Sequence, residues 1–208
     1  MLTGYNGVVD LSHHNDPVDL SKLRAAGIIG VIHKATQGLG TPDAKYKARR
    51  VAARKIDLLW GAYHFGTDDD GVAQADNFLE AAGDTTDMVL CLDFEKDPGR
   101  PSSMNLDEAR AFVNRIHDVT GRYPVFYSGD FIKERLGEKI DPVLSKCWFW
   151  LAQYGSNAEV PPNWSKWTLW QYTDGKLGPQ PREVEGVGHF DRDLFNGSEA
   201  ELRAFSGK

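Results

Sequence analysis

The chain has 208 residues, 41% of them hydrophobic and 26% charged, which indicates one globular domain over residues 1–208 without a separate second module. Its net charge of -6 and the lack of a long basic run argue against nucleic acid and anionic membranes as partners. The apolar runs are shorter than the ~18 residues of a membrane span. Residues 1–16 lack the basic start and long apolar core of a signal peptide.

Eight short segments have the composition of strands. Most are continuous apolar runs, a pattern typical of parallel strands that are covered on both faces. In chain order they are GVVDLS (7–12), GVIHKAT (30–36), LLWGAYHF (58–65), MVLCLDFE (88–95), PVFYSG (124–129), WFWLAQY (148–154), TLWQYT (168–173) and HFDRDLF (189–195).

Helices are predicted in the five gaps between the first six of these strands. The first two are expected to begin at Asp16–Pro17 and Thr41–Pro42, where an N-cap side chain precedes a proline at the first helical position. Asn105 and Glu108 have the spacing of a capping box before the fourth helix. The segments 155–167 and 174–188 are rich in Pro or Gly and favour no helix, while SEAELRAF predicts a short closing helix.

Alternating strands and helices build right-handed parallel units, and eight such strands can close a barrel. The sequence therefore predicts an α/β fold. We expect a flattened, irregular β/α barrel with eight strands and about five helices, without helices between the last strands. Chemistry in such barrels lies at the C-terminal ends of the strands.

Four acids lie near predicted strand ends. Asp10 is in the first strand, Asp93 and Glu95 end the fourth, and Asp191 is in the eighth. Residues two apart in a strand share a face, so Asp93 and Glu95 are expected to enter one cleft, with Cys91 deeper in the barrel. If the eighth strand pairs with the first, Asp10 and Asp191 are neighbours at the same mouth.

Converging acids lose water and repel one another, and both effects raise at least one pKa. A protonated acid beside a charged one is the arrangement that glycoside cleavage requires. Surface salt bridges or capping of the following turn would explain a single acid at a strand end equally well. They explain four matched acids poorly, so the pattern predicts a glycosidase cleft.

Aromatic residues at strand ends favour the same substrate class, because sugar rings stack on aromatic faces. Those in the last residues of predicted strands are Tyr63, Tyr127, Tyr154, Trp170 and Tyr172. Core packing is an equally good explanation for each one alone. Trp148, Phe149 and Trp150 come earlier in their strand and are expected in the core.

Histidines and cysteines offer a competing prediction, a metal site, which we reject because no close ligand spacing is present. His33 and His64 are expected to be hydrogen-bonded core residues, and Lys34 a partner for the acids. Cys91 and Cys147 are expected to be buried free thiols. No metal and no other cofactor is predicted.

The motifs together resemble glycoside hydrolase family 25, lysozymes of the N,O-diacetylmuramidase type, over roughly residues 5 to 197. The motifs that carry the resemblance are VVDLSHHND, VIHKATQG, GAYHF, CLDFE, PVFYSG, FWLAQY, LWQYTDG and FDRDLFNG. The resemblance implies a flattened barrel of eight strands and five helices. It also implies cleavage of the β-1,4 bond between N-acetylmuramic acid and N-acetylglucosamine in peptidoglycan, without a cofactor.

Carried over by position, the resemblance implies that Glu95 is the general acid. It implies that Asp93 is the charged group that orients or stabilises the reacting sugar, in some mechanisms through its 2-acetamido group. Asp10 and Asp191 match the flanking acids of the cleft, and Tyr63 and Tyr127 match its tyrosines. The last motif departs from the family pattern, with Arg192 and Asp193 where an apolar residue and Asn are usual.

Two other functions remain open at this point. A chitinase-like barrel also ends a strand with D-x-E, but its longer motif requires acids where Met88 and Cys91 stand. A catalytically inactive sugar-binding barrel would be expected to lack one of the acids. We expect a monomer that acts on bacterial cell walls, either a phage endolysin released from the host cytoplasm or a secreted enzyme whose leader was removed.

Overall fold

A computed structural model describes residues 2–207 of the chain. Helices and strands alternate along most of this range. The helices are α1 Leu20–Ala25, α2 Tyr46–Lys55, α3 Gly71–Ala82, α4 Leu106–Thr120, α5 Asp130–Leu136 and α6 Glu199–Phe205. The strands are β1 Tyr5–Leu11, β2 Gly30–Gln37, β3 Leu59–Phe65, β4 Met88–Asp93, β5 Val125–Ser128, β6 Trp148–Ala152, β7 Leu169–Thr173, β8 Glu183–Val184, β9 Gly188–His189 and β10 Asp191–Phe195.

Eight of these strands close a barrel in the order β1-β10-β7-β6-β5-β4-β3-β2, which confirms the irregular α/β barrel. Strands β1 to β7 run parallel to one another, whereas β10 is antiparallel to both of its neighbours, β1 and β7. The expectation that all eight strands are parallel is therefore wrong for the last one. A last strand parallel to β7 would require the chain to cross first to the other end of the barrel. The chain after β7 makes no such crossover, so β10 starts near the carboxyl end of β7 and runs in the opposite direction.

The loops before β7 and β10 explain the irregular side of the barrel. Residues 155–167 and 174–188 contain no helix, as predicted, and the second segment instead forms the small antiparallel ribbon β8–β9. Helices α1 to α5 each connect two consecutive strands from β1 to β6, and the short α6 follows β10.

The predicted starts of the first two helices are wrong. Helix α1 is capped by the carboxylate of Asp19, which accepts bonds from the backbone N–H groups of Ser21 (2.9 Å) and Lys22 (3.1 Å). Asp16 is unavailable as a cap because its carboxylate forms an ion pair with Lys45. Helix α2 begins only at Tyr46, without a side-chain cap, so Thr41–Pro42 lies in the preceding loop.

The cap of the fourth helix was predicted correctly. Asn105 and Glu108 form the expected capping box of α4, which ends at Gly121 in the left-handed region (φ 72°). The closing helix α6 has a second capping box, made by Ser198 and Glu201.

Two apolar layers hold the barrel. The larger lies between the strands and the helices, and the smaller fills the barrel interior, where Leu202 of α6 packs. Cys91 and Cys147 are buried free thiols, as expected. No helix within residues 2–207 is long and apolar enough to cross a membrane.

Candidate active site

An open cleft of about 280 Å³ lies at the mouth of the barrel, where the parallel strands end. Side chains from all eight barrel strands, or from the few residues that follow a strand, line it. They are Asp10, Ser12, His14, Lys34, Tyr63, Phe65, Asp93, Glu95, Tyr127, Trp150, Tyr154, Gln171 and Asp191. The structure therefore brings together all four acids that the sequence singled out.

Asp93 and Glu95 are held as a pair by the residue between them. Phe94 is fully buried on the outer side of the barrel, where its ring packs on Phe131 (4.9 Å between centroids). Its N–H donates to the Tyr127 carbonyl (2.9 Å) and its carbonyl accepts from Ser128 Oγ (2.7 Å). Because neighbouring side chains in an extended chain alternate, anchoring Phe94 outward turns both carboxyl groups inward.

The two carboxyl groups are close enough to share a hydrogen bond. Burial raises the pKa of Asp93 well above its usual range, the Glu95 charge raises it further, and Lys34 opposes both. Burial also raises the pKa of Glu95, although the hydrogen bond from Asp93 lowers it. Both acids of the pair therefore have raised pKa values, and they titrate as a pair.

Which acid of the pair stays charged remains a prediction, with Asp93 expected as the charged group and Glu95 as the proton donor. The two acids differ in burial, because Asp93 is only 6% exposed and Glu95 is partly exposed. The deeper acid loses more water, and desolvation favours its neutral form.

Asp10 is fixed by a glutamine that the sequence analysis did not single out. Gln171 Nε2 donates to Asp10 Oδ2 (2.7 Å), and Gln171 Oε1 accepts from the hydroxyls of Tyr127 (2.8 Å) and Tyr154 (3.3 Å). One amide thus orients an acid and two tyrosines on one wall of the cleft. Only the polar type of Gln171 within an apolar strand could have indicated this role.

Asp191 reaches the cleft because β10 is antiparallel. It is the first residue of that strand and is paired in register with Asp10 of β1. Burial raises the pKa of Asp191 to about 6, and the charge of Asp174 adds to the shift. The expected proximity of Asp10 and Asp191 is confirmed, for a strand direction opposite to the predicted one.

A fifth acid, Asp193, lies below this group and was not predicted as a site residue. It is 0% exposed, and its Oδ1 accepts a 2.7 Å bond from the indole N–H of Trp150. Burial raises the pKa of Asp193 well above its usual range, and so does the charge of Asp191. Trp150 is buried as expected, but it forms part of the cleft floor.

Cationic neutralisation of these acids is sparse. Lys34 is the basic side chain beside Asp93. Its Nζ donates to Gln37 Oε1 (2.6 Å) and lies 5.0 Å from the centre of the Phe65 ring. Its charge favours the ionised form of Asp93. Burial raises the pKa of all five acids, Asp10, Asp93, Glu95, Asp191 and Asp193.

Three of the five predicted aromatics lie in the cleft: Tyr63, Tyr127 and Tyr154. Trp170 and Tyr172 do not, which corrects their assignment. They flank Gln171 on β7, and because Gln171 points inward, both of them point outward. Trp170 Nε1 donates to the Gln153 carbonyl (2.8 Å), and the Tyr172 hydroxyl donates to the Pro181 carbonyl (2.7 Å).

The buried histidines are structural. His64 is bonded to Thr36 Oγ1 (2.7 Å) and to Gln74 Oε1 (3.0 Å), and burial lowers its pKa to about 4. Burial also lowers the pKa of His33 to about 4. Within residues 2–207, no group of three or more His, Cys, Asp or Glu side chains is arranged to hold a metal ion.

Comparisons with known proteins agree with this geometry. The sequence profile of glycosyl hydrolases family 25 matches residues 9–179. Lysozyme M1 of Streptomyces globisporus is 31% identical over 98% of this chain and 72% of its own length. An N,O-diacetylmuramidase of Arthroderma benhamiae is 26% identical over 95% of this chain and 85% of its own length.

Solved structures give the same result. The bacterial lysozyme from Streptomyces coelicolor superposes with a TM-score of 0.84 at 30% identity, covering 99% of this chain and 98% of that one. A family 25 lysozyme from Aspergillus fumigatus has a TM-score of 0.82 at 28% identity, covering 99% and 100%. The chain belongs to glycosyl hydrolase family 25 and is a glycoside hydrolase.

Proposed function

We propose that this protein is a muramidase that hydrolyses the β-1,4 bond between N-acetylmuramic acid and N-acetylglucosamine in peptidoglycan. The observation that carries the proposal is the pair of neighbouring carboxyl groups of Asp93 and Glu95, both with raised pKa, on the wall of an open cleft. Its relatives include a lysozyme and an N,O-diacetylmuramidase, which supports this substrate over other glycans.

In the first step Glu95 acts as the general acid. The substrate's acetamido N–H donates to Asp93, which favours the anion of Asp93, while Glu95 carries the proton. Lys34 stabilises that anion. Glu95 then protonates the glycosidic oxygen while its bond to the anomeric carbon breaks. The acetamido oxygen bonds to the anomeric carbon, and Asp93 accepts the N–H proton, so the product of this step is a neutral oxazoline.

In the second step the roles reverse. The ionised Glu95 takes a proton from water, and the resulting hydroxyl bonds to the anomeric carbon as the bond to the acetamido oxygen breaks. Asp93 returns its proton to the acetamido nitrogen. Each acid ends in its starting state, and the configuration at the anomeric carbon is retained.

The other cleft residues position the sugar. Gln171 holds Asp10 and two tyrosine hydroxyls, and Tyr154, whose residue is 44% exposed, offers its ring at the rim. Rings of this kind stack on pyranose faces. We further propose that the protein acts as a monomer on the bacterial wall, without nucleic acid or membrane as a partner.

The test is release of reducing ends from purified peptidoglycan and from chitin, by the wild-type chain and by Glu95→Gln. The proposal predicts release from peptidoglycan alone and none from the variant. Release from chitin at a comparable rate would favour the chitinase-like alternative, and none from either polymer would favour an inactive sugar-binding barrel.

A further inference from the structure

The opposite end of the barrel, at the amino ends of β4, β5 and β6, carries a second surface with a different chemistry. Two adjoining grooves of about 360 and 340 Å³ meet at Trp148, the first residue of β6. We call this surface the foot groove and define it by Arg122, Tyr123, Lys146, Trp148, Lys166 and Phe205, all of which line one groove or both.

Trp148 is exposed where the sequence predicted a core residue. It is 51% exposed, and the edge-on contact of its ring with Phe205 of α6 (5.8 Å between centroids) leaves about half of it open. Trp150, two residues along the same strand, is buried in the barrel interior. Trp148 is the first residue of the strand and lies at the end of the barrel, where its ring is only partly covered. An exposed aromatic beside a groove is typical of a binding surface.

Three cations surround this tryptophan. The Arg122 guanidinium is fixed by the carbonyls of Met88 (3.2 Å) and Thr85 (2.6 Å), and Lys146 Nζ lies 5.5 Å from the centre of the Tyr123 ring. Lys166 is the third cation. Hydrogen bonds with Ser198 lower the pKa of Glu201, and the charge of Lys166 adds to that shift.

None of the three cations takes part in an ion pair among the described residues. Within residues 2–207, no carboxylate forms an ion pair with any of the three, and no Asp or Glu lines either groove. The whole chain has a net charge of -6, so an acid-free basic patch is a local exception. Arginine held by neutral carbonyls keeps its full charge for an external anion.

We propose that the foot groove is a second binding site for peptidoglycan, in which the aromatic rings contact sugar faces and the three cations bind carboxylates of the lactyl groups and stem peptides. This inference rests on the proposed function. A strand held at the foot differs from the strand cut at the mouth, because the two sites face opposite directions. Binding at both ends of one domain raises retention on a polymer without changing the chemistry.

The test is co-sedimentation with purified sacculi in the Glu95→Gln background, which prevents digestion during the measurement. Trp148→Ala and Lys146→Glu are each expected to weaken binding by about tenfold. The matched controls Val51→Ala and Lys55→Glu, both exposed positions of α2, are expected to bind like the parent. Sacculi whose carboxylates have been amidated should lose the same affinity for the parent.

A parallel assay separates this inference from the proposed function. With native Glu95, the foot variants should cleave a short soluble muropeptide oligomer at the parent rate. If the parent itself fails to cleave it, the proposed function fails. If the parent cleaves it but the foot variants bind sacculi as the parent does, only the second site is refuted.

Two further results would overturn the second site. One is that the effect of Trp148→Ala disappears once phosphate-containing wall polymers are extracted from the sacculi, which would make phosphate the ligand. The other is a dimer of the parent chain in sedimentation that Trp148→Ala converts to monomer, which would make a second copy the occupant.

Discussion

The mouth and the foot of the barrel are built on the same strands and carry opposite charges. The mouth gathers Asp10, Asp93, Glu95, Asp191 and Asp193 around Lys34, all at least partly buried. The foot has three cations around an exposed tryptophan and no lining acid among the described residues. Crowded buried acids are costly and hold protons, whereas exposed cations attract anions with little structural cost. We infer that chemistry belongs to the mouth and retention to the foot.

The largest expected effect is at the mouth. Glu95→Gln should reduce peptidoglycan hydrolysis by about 10³-fold or more, because the amide has no proton for the leaving oxygen. Initial rates of reducing-end release measure this loss, with Glu138→Gln, at an exposed site of the same residue type, as the control. Near-normal rates in Glu95→Gln would mean that another residue is the general acid.

Asp93→Asn is expected to lower the rate by about 10²-fold, because the neutral amide stabilises the developing positive charge less well. Affinity for a non-hydrolysed oligomer should change little, since the shape of the cleft is kept. Titration calorimetry beside the rate assay separates the two effects. A loss confined to binding would contradict the catalytic role of Asp93.

Asp193 distinguishes geometry from charge at the mouth. Asp193→Asn keeps an oxygen for the Trp150 indole and should leave the urea midpoint close to that of the wild type. Asp193→Leu leaves a buried N–H unpaired and should cost about 1–3 kcal/mol of unfolding free energy. Equal stability of the two variants would mean that the Trp150–Asp193 bond contributes nothing.

The raised pKa values of the acids at the mouth predict that stability depends on pH. The folded pKa of Asp191 is raised from 3.8 to about 6. The folded state therefore binds this proton more tightly, and stability falls as pH rises from about 4 through 6. Asp191→Asn should remove part of that fall, on the order of 2 kcal/mol. Urea denaturation at pH 4 and pH 7 measures this change in unfolding free energy, with the exposed Asp118→Asn as the control. If Asp191→Asn lost as much stability between the two pH values as the wild type, the raised pKa would be contradicted.

The smallest effect sharpens the division between the two ends. Trp148→Ala should change kcat/KM for a short soluble oligomer by less than about twofold, because the foot is at the far end of the barrel from the pair Asp93–Glu95. Steady-state kinetics on that oligomer test it. A loss of tenfold would show that the two ends are coupled.

The sequence predicted the barrel and the acids well because both leave local signals. Continuous apolar runs separated by capped helices indicate parallel strands, and two acids closing such a run stand out at Asp93 and Glu95. The direction of the last strand was missed because the sequence predicts Asp191 near the mouth whichever way its strand runs. No local pattern in HFDRDLF distinguishes the two directions.

The errors over aromatics have one physical source. Strands buried on both faces show no alternation, so the sequence does not reveal which of two neighbours faces the interior. Trp170 and Tyr172 were therefore taken for cleft residues in place of Gln171, and Trp148 was taken for core. Asp193 was missed because its partner, the Trp150 indole, comes from a strand 43 residues earlier.

The most direct test of the central claim is the identity of the new reducing end. Peptidoglycan digested by the wild-type chain, reduced with borohydride and analysed by mass spectrometry should yield muramitol at the chain ends, and Glu95→Gln should yield none. Glucosaminitol in place of muramitol would contradict the account, because the mouth would then cut the other glycosidic bond.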